Sequence, residues 1–189
     1  MVNRSNGSRQ SLKDVVVDRP RLLLVGINPG LRSGAVGHHF AGSGNPFWRL
    51  LRAARLTPVL LHYSEDERLA EFGIALTNLC PRTTRTAAEL KRAEIALGHA
   101  ALARKIAAWR PAVVAFVGIT LYRMYFGAGS GPGPGPKRET ISASRVFVVP
   151  NPSGLNASFP GFEHKLLWFK KLRVFVDRVA GAPSRSKTG

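Results

Sequence analysis

The chain has 189 residues, of which 44% are hydrophobic, so it can bury one good core but leaves little room for a second domain. Its 28 Lys and Arg residues against 11 Asp and Glu give a net charge of +17, which favours a polyanionic partner such as nucleic acid. The single cysteine, Cys80, excludes both an intramolecular disulfide and a four-cysteine iron–sulfur cluster.

No apolar run approaches the roughly 20 residues that span a bilayer, and residues 1–18 lack the apolar core of a secretory signal. We therefore expect a cytoplasmic protein of the bacterial cytosol or nucleoid, without a membrane partner. Residues 1–18 are polar and basic, and we expect them to be disordered.

Strand-like apolar runs alternate with helical ones along the chain, which is typical of βαβ units and a mainly parallel sheet. The pattern predicts strands at 21–27, 74–79, 112–118 and 146–149, and helices at 46–55, 65–72, 87–109, 121–126 and 162–179. Gly and Pro alternate over 127–136, a segment that we expect to be poorly ordered, with the basic Lys137 and Arg138 after it free to contact phosphates. A single domain over 19–180, followed by a flexible tail at 181–189, completes the predicted organisation.

A glycine-bounded turn, residues 26–30, directly follows the first predicted strand and reads GINPG. Gly26 and Gly30 allow a ligand to approach the backbone closely, and Pro29 stiffens the turn between them. In open α/β sheets, ligands bind at the carboxyl ends of the strands. The turn therefore places Asn28 on a rigid corner where a ligand would bind.

Four further elements follow the first turn. In chain order the set comprises GINPG at 26–30, HHF at 38–40, GNPFW at 44–48, LTNL at 76–79 with RTT at 82–84, and NPSGL at 151–155. In order and spacing the set resembles the mismatch-specific branch of the uracil-DNA glycosylase superfamily, which includes the thymine-DNA glycosylases. The resemblance covers residues 21–177. It implies a three-layer α/β/α sandwich around a central, mainly parallel four-stranded sheet, with the active groove at the carboxyl ends of the strands.

The activity implied by this resemblance is base excision from mismatched or damaged double-stranded DNA by a monofunctional enzyme. Repair enzymes of this size often act as monomers, so we expect a monomer, and the cysteine content implies no cofactor. The enzyme would flip uracil, thymine or another damaged base out of the duplex and hydrolyse its N-glycosidic bond, which leaves an abasic site. Asn28 would orient the attacking water, since a neutral amide is a poor general base. Ile27, Phe40 and Asn151 would form the base pocket, with the Phe40 ring stacking on the extruded base.

Two asparagines are expected to support this pocket without touching the reacting bond. Asn45 can cap the helix that begins near Pro46, and Asn78 follows the second strand at the same edge of the sheet. His38 and His39 have no acidic or cysteine partner at ligand spacing, so we expect no metal.

The turn after the last strand is expected to act on DNA. Ser153 and Gly154 would let the backbone approach a phosphate, and Leu155 is an apolar side chain of the kind that wedges into a base stack. Some relatives carry arginine two residues after this leucine, where the chain has Ala157. We therefore expect a looser hold on the base opposite the lesion.

Two other classes of protein fit part of the pattern. A catalytically silent nucleic-acid-binding module would explain the charge and the turns, and a nucleotide-binding α/β domain would explain glycine-rich loops after strands. The second is disfavoured because neither G-x-G-x-x-G nor G-x-x-x-x-G-K-[ST] follows a strand. An excision assay on uracil-containing DNA separates the first from an enzyme.

Overall fold

Five strands form the central sheet in the computed structural model, which describes residues 11–153 and 158–181. They are β1 (Leu22–Gly26), β2 (Ile74–Asn78), β3 (Val113–Val117), β4 (Gly135–Ile141) and β5 (Ser144–Val149). The strand order is β2-β1-β3-β5-β4, with every neighbouring pair parallel except β4 and β5. The predicted α/β architecture is confirmed, but the prediction of four strands is wrong by one.

Helices cover both faces of this sheet. They are α1 (Leu31–Val36), α2 (Phe47–Ala53), α3 (Arg92–Trp109), α4 (Ile119–Phe126) and α5 (Gly161–Ala180), with 3-10 helices at Tyr63–Phe72 and Ala87–Glu89. Alternate strand residues point to opposite faces, so Leu22 and Leu24 pack with α2 and α5, whereas Leu23 and Val25 pack with α3 and α4. The two resulting apolar layers make the three-layer sandwich.

The additional strand, β4, lies at the sheet edge and pairs with β5 through a two-residue turn at Ser142 and Ala143. Ser142 adopts the left-handed conformation that such tight turns require, with φ of 54°. One side of β4 faces solvent, so its sequence is polar and charged and carries no apolar run. The strand was missed because an edge strand needs only alternate buried positions.

The glycine- and proline-rich segment before β4 is organised around a buried ammonium group, contrary to the expectation of poor order. Lys137 is 8% exposed, and its Nζ donates to the carbonyl oxygens of Gly131, Pro132 and Gly133 at 3.2, 3.1 and 2.8 Å. Burial lowers the pKa of this amine. Lys137 is therefore neither a solvated charge nor available for the phosphate contact that the sequence allowed, because its donors already serve the loop.

The helix prediction differs from the structure in two places. The short helix α1 was not predicted because it contains Gly34, a poor helix former. It forms against the chain after β2, where a Cβ on Gly34 would overlap the side chain of Thr83. The helix predicted at 87–109 is interrupted by an extended Leu90, and α3 begins only after Lys91, whose backbone amide donates to Glu94 Oε2 at 2.9 Å.

Part of the N-terminal segment packs against the outer edge of the sheet, where disorder through residue 18 was expected. Val15 is 4% exposed and exchanges two backbone hydrogen bonds with Leu76 of β2, at 2.9 and 3.0 Å. Beside it, the Asp14 carboxylate accepts from Thr77 Oγ1 and Lys105 Nζ, both at 2.6 Å. These contacts shield part of an otherwise open strand edge.

The order of the strands positions the candidate site. The connection that leaves β1 leads to β2 on one side, whereas the connection that leaves the adjacent β3 leads to β4 and β5 on the other, so the two diverge between the carboxyl ends of β1 and β3. Such a divergence opens a crevice in parallel sheets. Within the described ranges, no helix combines the length and the apolar character needed to cross a bilayer.

Candidate active site

A cavity of about 330 Å³ opens at the carboxyl ends of four strands. Seven residues predicted from the sequence line it together: Ile27, Asn28, Phe40, Asn45, Asn78, Asn151 and Ser153. Two other predicted residues, Gly154 and Leu155, lie outside the described residues. Strand ends that are separated by up to about 120 residues in the chain thus meet at one pocket, as expected for parallel strands.

The turn after β1 is bonded along its length to the segment after β2. The amides of Leu79 and Cys80 donate to the carbonyl oxygens of Gly26 and Ile27, both at 2.8 Å. Further along, Thr84 N donates to Pro29 O at 3.1 Å. The two segments form one rigid edge, so Asn28 does not sit on a free loop.

Asn28 is held by the amino end of its side-chain amide. Its Nδ2 donates to the backbone oxygen of Arg82 at 2.9 Å and to Thr84 Oγ1 at 2.7 Å. A third and longer contact runs to Pro29 O at 3.2 Å. Because an amide has only two N–H donors, these contacts occupy that end and leave Oδ1 as the available acceptor.

The orientation of this amide follows from the hydroxyl group of Thr84. That hydroxyl has a single proton, which it donates to the carbonyl oxygen of Thr86 at 2.8 Å. Toward Asn28, Thr84 Oγ1 can therefore act only as an acceptor, which requires Nδ2 to face it. Thr84 belongs to the RTT motif at 82–84, but the sequence predicted no role for its side chain in the site.

Arg82, whose carbonyl oxygen is the other anchor of Asn28, is itself fixed by a carboxylate on α3. Its guanidinium donates to both oxygens of Glu94, at 2.5 and 2.9 Å. These bonds, together with one from the Lys91 amide, lower the pKa of Glu94 to about 2. Glu94 therefore stays ionised at neutral pH, and Arg82 keeps its position.

The aromatic wall of the cavity is Phe40, whose ring stacks on Phe47 with centroids 3.7 Å apart and planes 14° from parallel. Phe47 is fully buried in α2, and its amide donates to Asn45 Oδ1 at 3.0 Å. Asn45 was expected to cap α2, but the N-cap residue is Pro46, and Asn45 instead accepts from the first amide of the helix two residues on. The neighbouring Trp48 is 7% exposed in the core. The Phe40 ring rests on a rigid base.

His39 and Asn78 form the polar wall next to Phe40. His39 is buried, and burial lowers its pKa, so the ring is neutral at pH 7. Its Nε2 donates to Lys13 O at 2.9 Å, which leaves Nδ1 to accept from Asn78 Nδ2 at 3.5 Å. The Asn78 Oδ1 lies against Gly26, where any Cβ would overlap it. A larger residue at position 26 would therefore displace the side chain of Asn78.

On the far side of the cavity, the turn after β5 is braced from within and from α5. Asn151 Oδ1 accepts from Ser153 N at 2.9 Å. The Ser153 carbonyl accepts from Lys165 Nζ at 3.2 Å, and Lys165 is only 3% exposed. A buried cation therefore holds the beginning of the segment that was predicted to contact DNA.

The electrostatic character of the cavity is positive. Arg32 and Arg85 belong to its wall, and none of the described residues that line it is an aspartate or a glutamate. The described residues contain no cluster of three or more His, Cys, Asp or Glu that could hold a metal ion. The described wall can thus orient a water molecule through Asn28, but it offers no carboxylate to deprotonate that water.

Two comparisons with known proteins agree with this geometry. Residues 13–173 match the family model described as the uracil DNA glycosylase superfamily. The fold is also similar to a solution NMR structure of a candidate uracil DNA glycosylase from Methanosarcina acetivorans, with a TM-score of 0.60 and 16% identity. That alignment covers 87% of this chain and 98% of the other. At such low identity the second likeness establishes the shared fold alone.

Proposed function

Since the chain belongs to the uracil DNA glycosylase superfamily, which supports a DNA-glycosylase role, we propose that it is a monofunctional, mismatch-specific enzyme of that superfamily. It would excise uracil, thymine or another damaged base from mismatched duplex DNA and leave an abasic site. The observation that carries this proposal is the amide of Asn28, held by Nδ2 so that Oδ1 is left to accept a hydrogen bond from water. We further propose one glycosylase domain at 19–180, acting as a monomer in the cytoplasm.

The proposed reaction begins with extrusion of the base, because the glycosidic bond cannot be reached inside a duplex. A mismatched base has weak pairing and is the least costly to extract, which is a source of selectivity. The cavity is at the small end of ligand pockets and suits one flipped base. Phe40 would stack on that base and select for planarity. Identity would come from backbone groups near Ile27 and Phe40, with Asn151 on the other wall.

Hydrolysis would then proceed by positioning. Asn28 Oδ1 would hold water near the anomeric carbon of the sugar. The bond between that carbon and the base nitrogen breaks, and the base departs with the electron pair. The water oxygen bonds to the anomeric carbon and releases its proton to solvent. Without a general base the turnover should be modest.

Contact with DNA is assigned to the turn after β5. Ser153 and Gly154 would approach a phosphate, and Leu155 would fill the space that the flipped base vacates. The bond from Lys165 to Ser153 supports this role, because it holds the turn at the cavity wall. With Ala157 after the wedge, the opposite base would be held loosely, or by backbone groups of Gly154 and Leu155.

The deciding experiment is an excision assay. The protein is incubated with an oligonucleotide duplex that carries one G·U pair, and alkali then cleaves the strand at any abasic site. Cleavage that depends on the protein supports the proposal. If the strand stays uncleaved although the protein binds the duplex, the result would favour the catalytically silent module.

Binding to undamaged duplex should weaken steeply as salt rises. Each phosphate that the protein neutralises contributes a slope of roughly −0.9 in log K against log salt concentration, because counterions are released. Fluorescence anisotropy between low and moderate salt measures this slope. A flat response would show that the net charge of +17 is not used on DNA.

Substitution of Thr84 tests how Asn28 is oriented. Thr84→Val keeps the shape of the side chain but removes the acceptor that faces Asn28 Nδ2. We expect single-turnover excision to slow by about tenfold or more, since small misplacements of a reacting group are costly. Thr84→Ser keeps the hydroxyl and serves as the matched control. Equal rates for the valine variant and the parent would show that Thr84 does not orient Asn28.

A further inference from the structure

Phe40 adopts a backbone conformation that bulky residues rarely take. Its φ is 49°, in the left-handed region, which is costly for a residue with a Cβ and persists only where the surroundings enforce it. The conformation matters because it sets the direction of the ring that lines the cavity.

The backbone N–H groups of the two residues next to Phe40 are held by side chains from other elements. On one side, His39 N donates to Asp66 Oδ2 at 2.9 Å. On the other side, Ala41 N donates to Ser33 Oγ at 3.0 Å. The peptide unit between His38 and His39 is thereby anchored to the 3-10 helix Tyr63–Phe72, and the unit between Phe40 and Ala41 is anchored to α1.

Asp66 makes a second contact with the same loop. Its other oxygen, Oδ1, accepts from His38 Nδ1 at 3.0 Å. The residue is 4% exposed, and a carboxylate at such a position is costly unless its oxygens are hydrogen-bonded. Asp66 therefore holds two consecutive residues just before Phe40, although it does not belong to the cavity wall.

We propose that Asp66 is a positioning residue of this active site: its buried carboxylate holds His38 and His39 so that Phe40 presents its ring to the flipped base. The proposal rests on the proposed function, in which Phe40 is the stacking face. Without the carboxylate, the loop can leave the left-handed conformation at Phe40, and the ring then loses its register over Phe47. Asp66 would touch neither base nor water, so it would act only through Phe40.

The dependence on Phe40 gives a test by double-mutant cycle. Single-turnover excision from a G·U duplex is measured over a range of enzyme concentrations for the parent, Asp66→Ala, Phe40→Ala and the double variant. We expect Asp66→Ala to lower the rate about tenfold in the parent background, in line with the cost of a misplaced group. In the Phe40→Ala background the same change should have little further effect. Equal losses in both backgrounds would overturn the proposal, because the carboxylate would then act on the fold as a whole.

Two further variants control for folding. Asp66→Asn keeps the size of the side chain and one acceptor oxygen, so the excision rate should fall less than in Asp66→Ala. This smaller fall should also disappear in the Phe40→Ala background. If Asp66→Ala is unfolded at the assay temperature, the double-mutant cycle is measured with Asp66→Asn and Phe40→Ala instead. Glu67→Gln removes an exposed carboxylate from the same 3-10 helix and should match the parent.

Amide hydrogen exchange separates this proposal from the proposed function. In Asp66→Ala and Asp66→Asn, the amides of residues 39–41 should exchange faster than in the parent, whereas Glu67→Gln should leave them unchanged. Unchanged exchange in both Asp66 variants would overturn the positioning role even in an active enzyme. A parent protein that cuts no DNA would instead refute the glycosylase proposal, and the exchange of these amides would still decide whether Asp66 holds the loop.

Discussion

Replacing Asn28 with alanine should slow the excision of uracil from a G·U duplex by about 100-fold or more, while affinity for the duplex stays close to that of the parent. The substitution removes the oxygen that is left to accept from water and touches none of the residues assigned to phosphate contact. Binding and chemistry should therefore separate. Single-turnover rates at saturating enzyme report the chemical step, and anisotropy reports the affinity.

The control for this prediction is a second asparagine of the same cavity. Asn45→Ala removes the bond to the amide of Phe47, which should cost stability of about 1 kcal/mol, typical of one lost hydrogen bond. Its rate at a temperature where it remains folded should fall far less than that of Asn28→Ala. A rate for Asn28→Ala equal to that of the parent would show that water is held elsewhere.

Truncation of Leu155 should separate extraction of the base from hydrolysis. If its side chain fills the gap in the duplex, it offsets a few kcal/mol of lost stacking and pairing, a cost that single-stranded DNA does not impose. Leu155→Ala should thus slow excision from duplex by about tenfold or more. Excision from a single-stranded oligonucleotide should hardly change, provided that the parent cuts both substrates.

The alternative is that Leu155 is a core residue. Its truncation would then lower the melting temperature and reduce both activities together, as loss of buried methyl groups does. Leu97→Ala, at a leucine that is 72% exposed on α3, serves as the control and should change neither rate nor melting temperature. Equal losses of excision rate on both substrates, with a lowered melting temperature, would refute the proposal that Leu155 is the wedge.

The orientation of Asn28 is set by Thr84 and by Arg82, which Glu94 holds in place. This arrangement explains how a neutral amide could serve in hydrolysis. An amide that rotates freely presents oxygen and nitrogen in turn, and only the oxygen accepts from water. Here both N–H groups are bonded to the segment after β2, which is itself paired to the turn after β1. Pre-organisation of this kind reduces the reorganisation needed during the reaction.

The amino-acid sequence by itself determined the α/β class, the four strands of the parallel core and the turn that carries Asn28. These are properties of short segments: a run of apolar residues, a change of period and the backbone freedom of Gly26 or Gly30 are all written within a few neighbouring positions. Parallel strands also bring their carboxyl ends to one edge, so the meeting of Asn28 and Asn151 at one cavity could be expected.

Other features were decided only by tertiary structure, because their partners are distant in the chain. Thr84, 56 residues after Asn28, orients its amide, and Asp66, 27 residues after His39, holds its backbone. Lys137 is buried, contrary to expectation, because β4 pairs at the sheet edge and the preceding loop lies over its amine. A hydrogen bond or a buried charge depends on which segments the packing brings within about 3 Å, and no local pattern of residues encodes that distance.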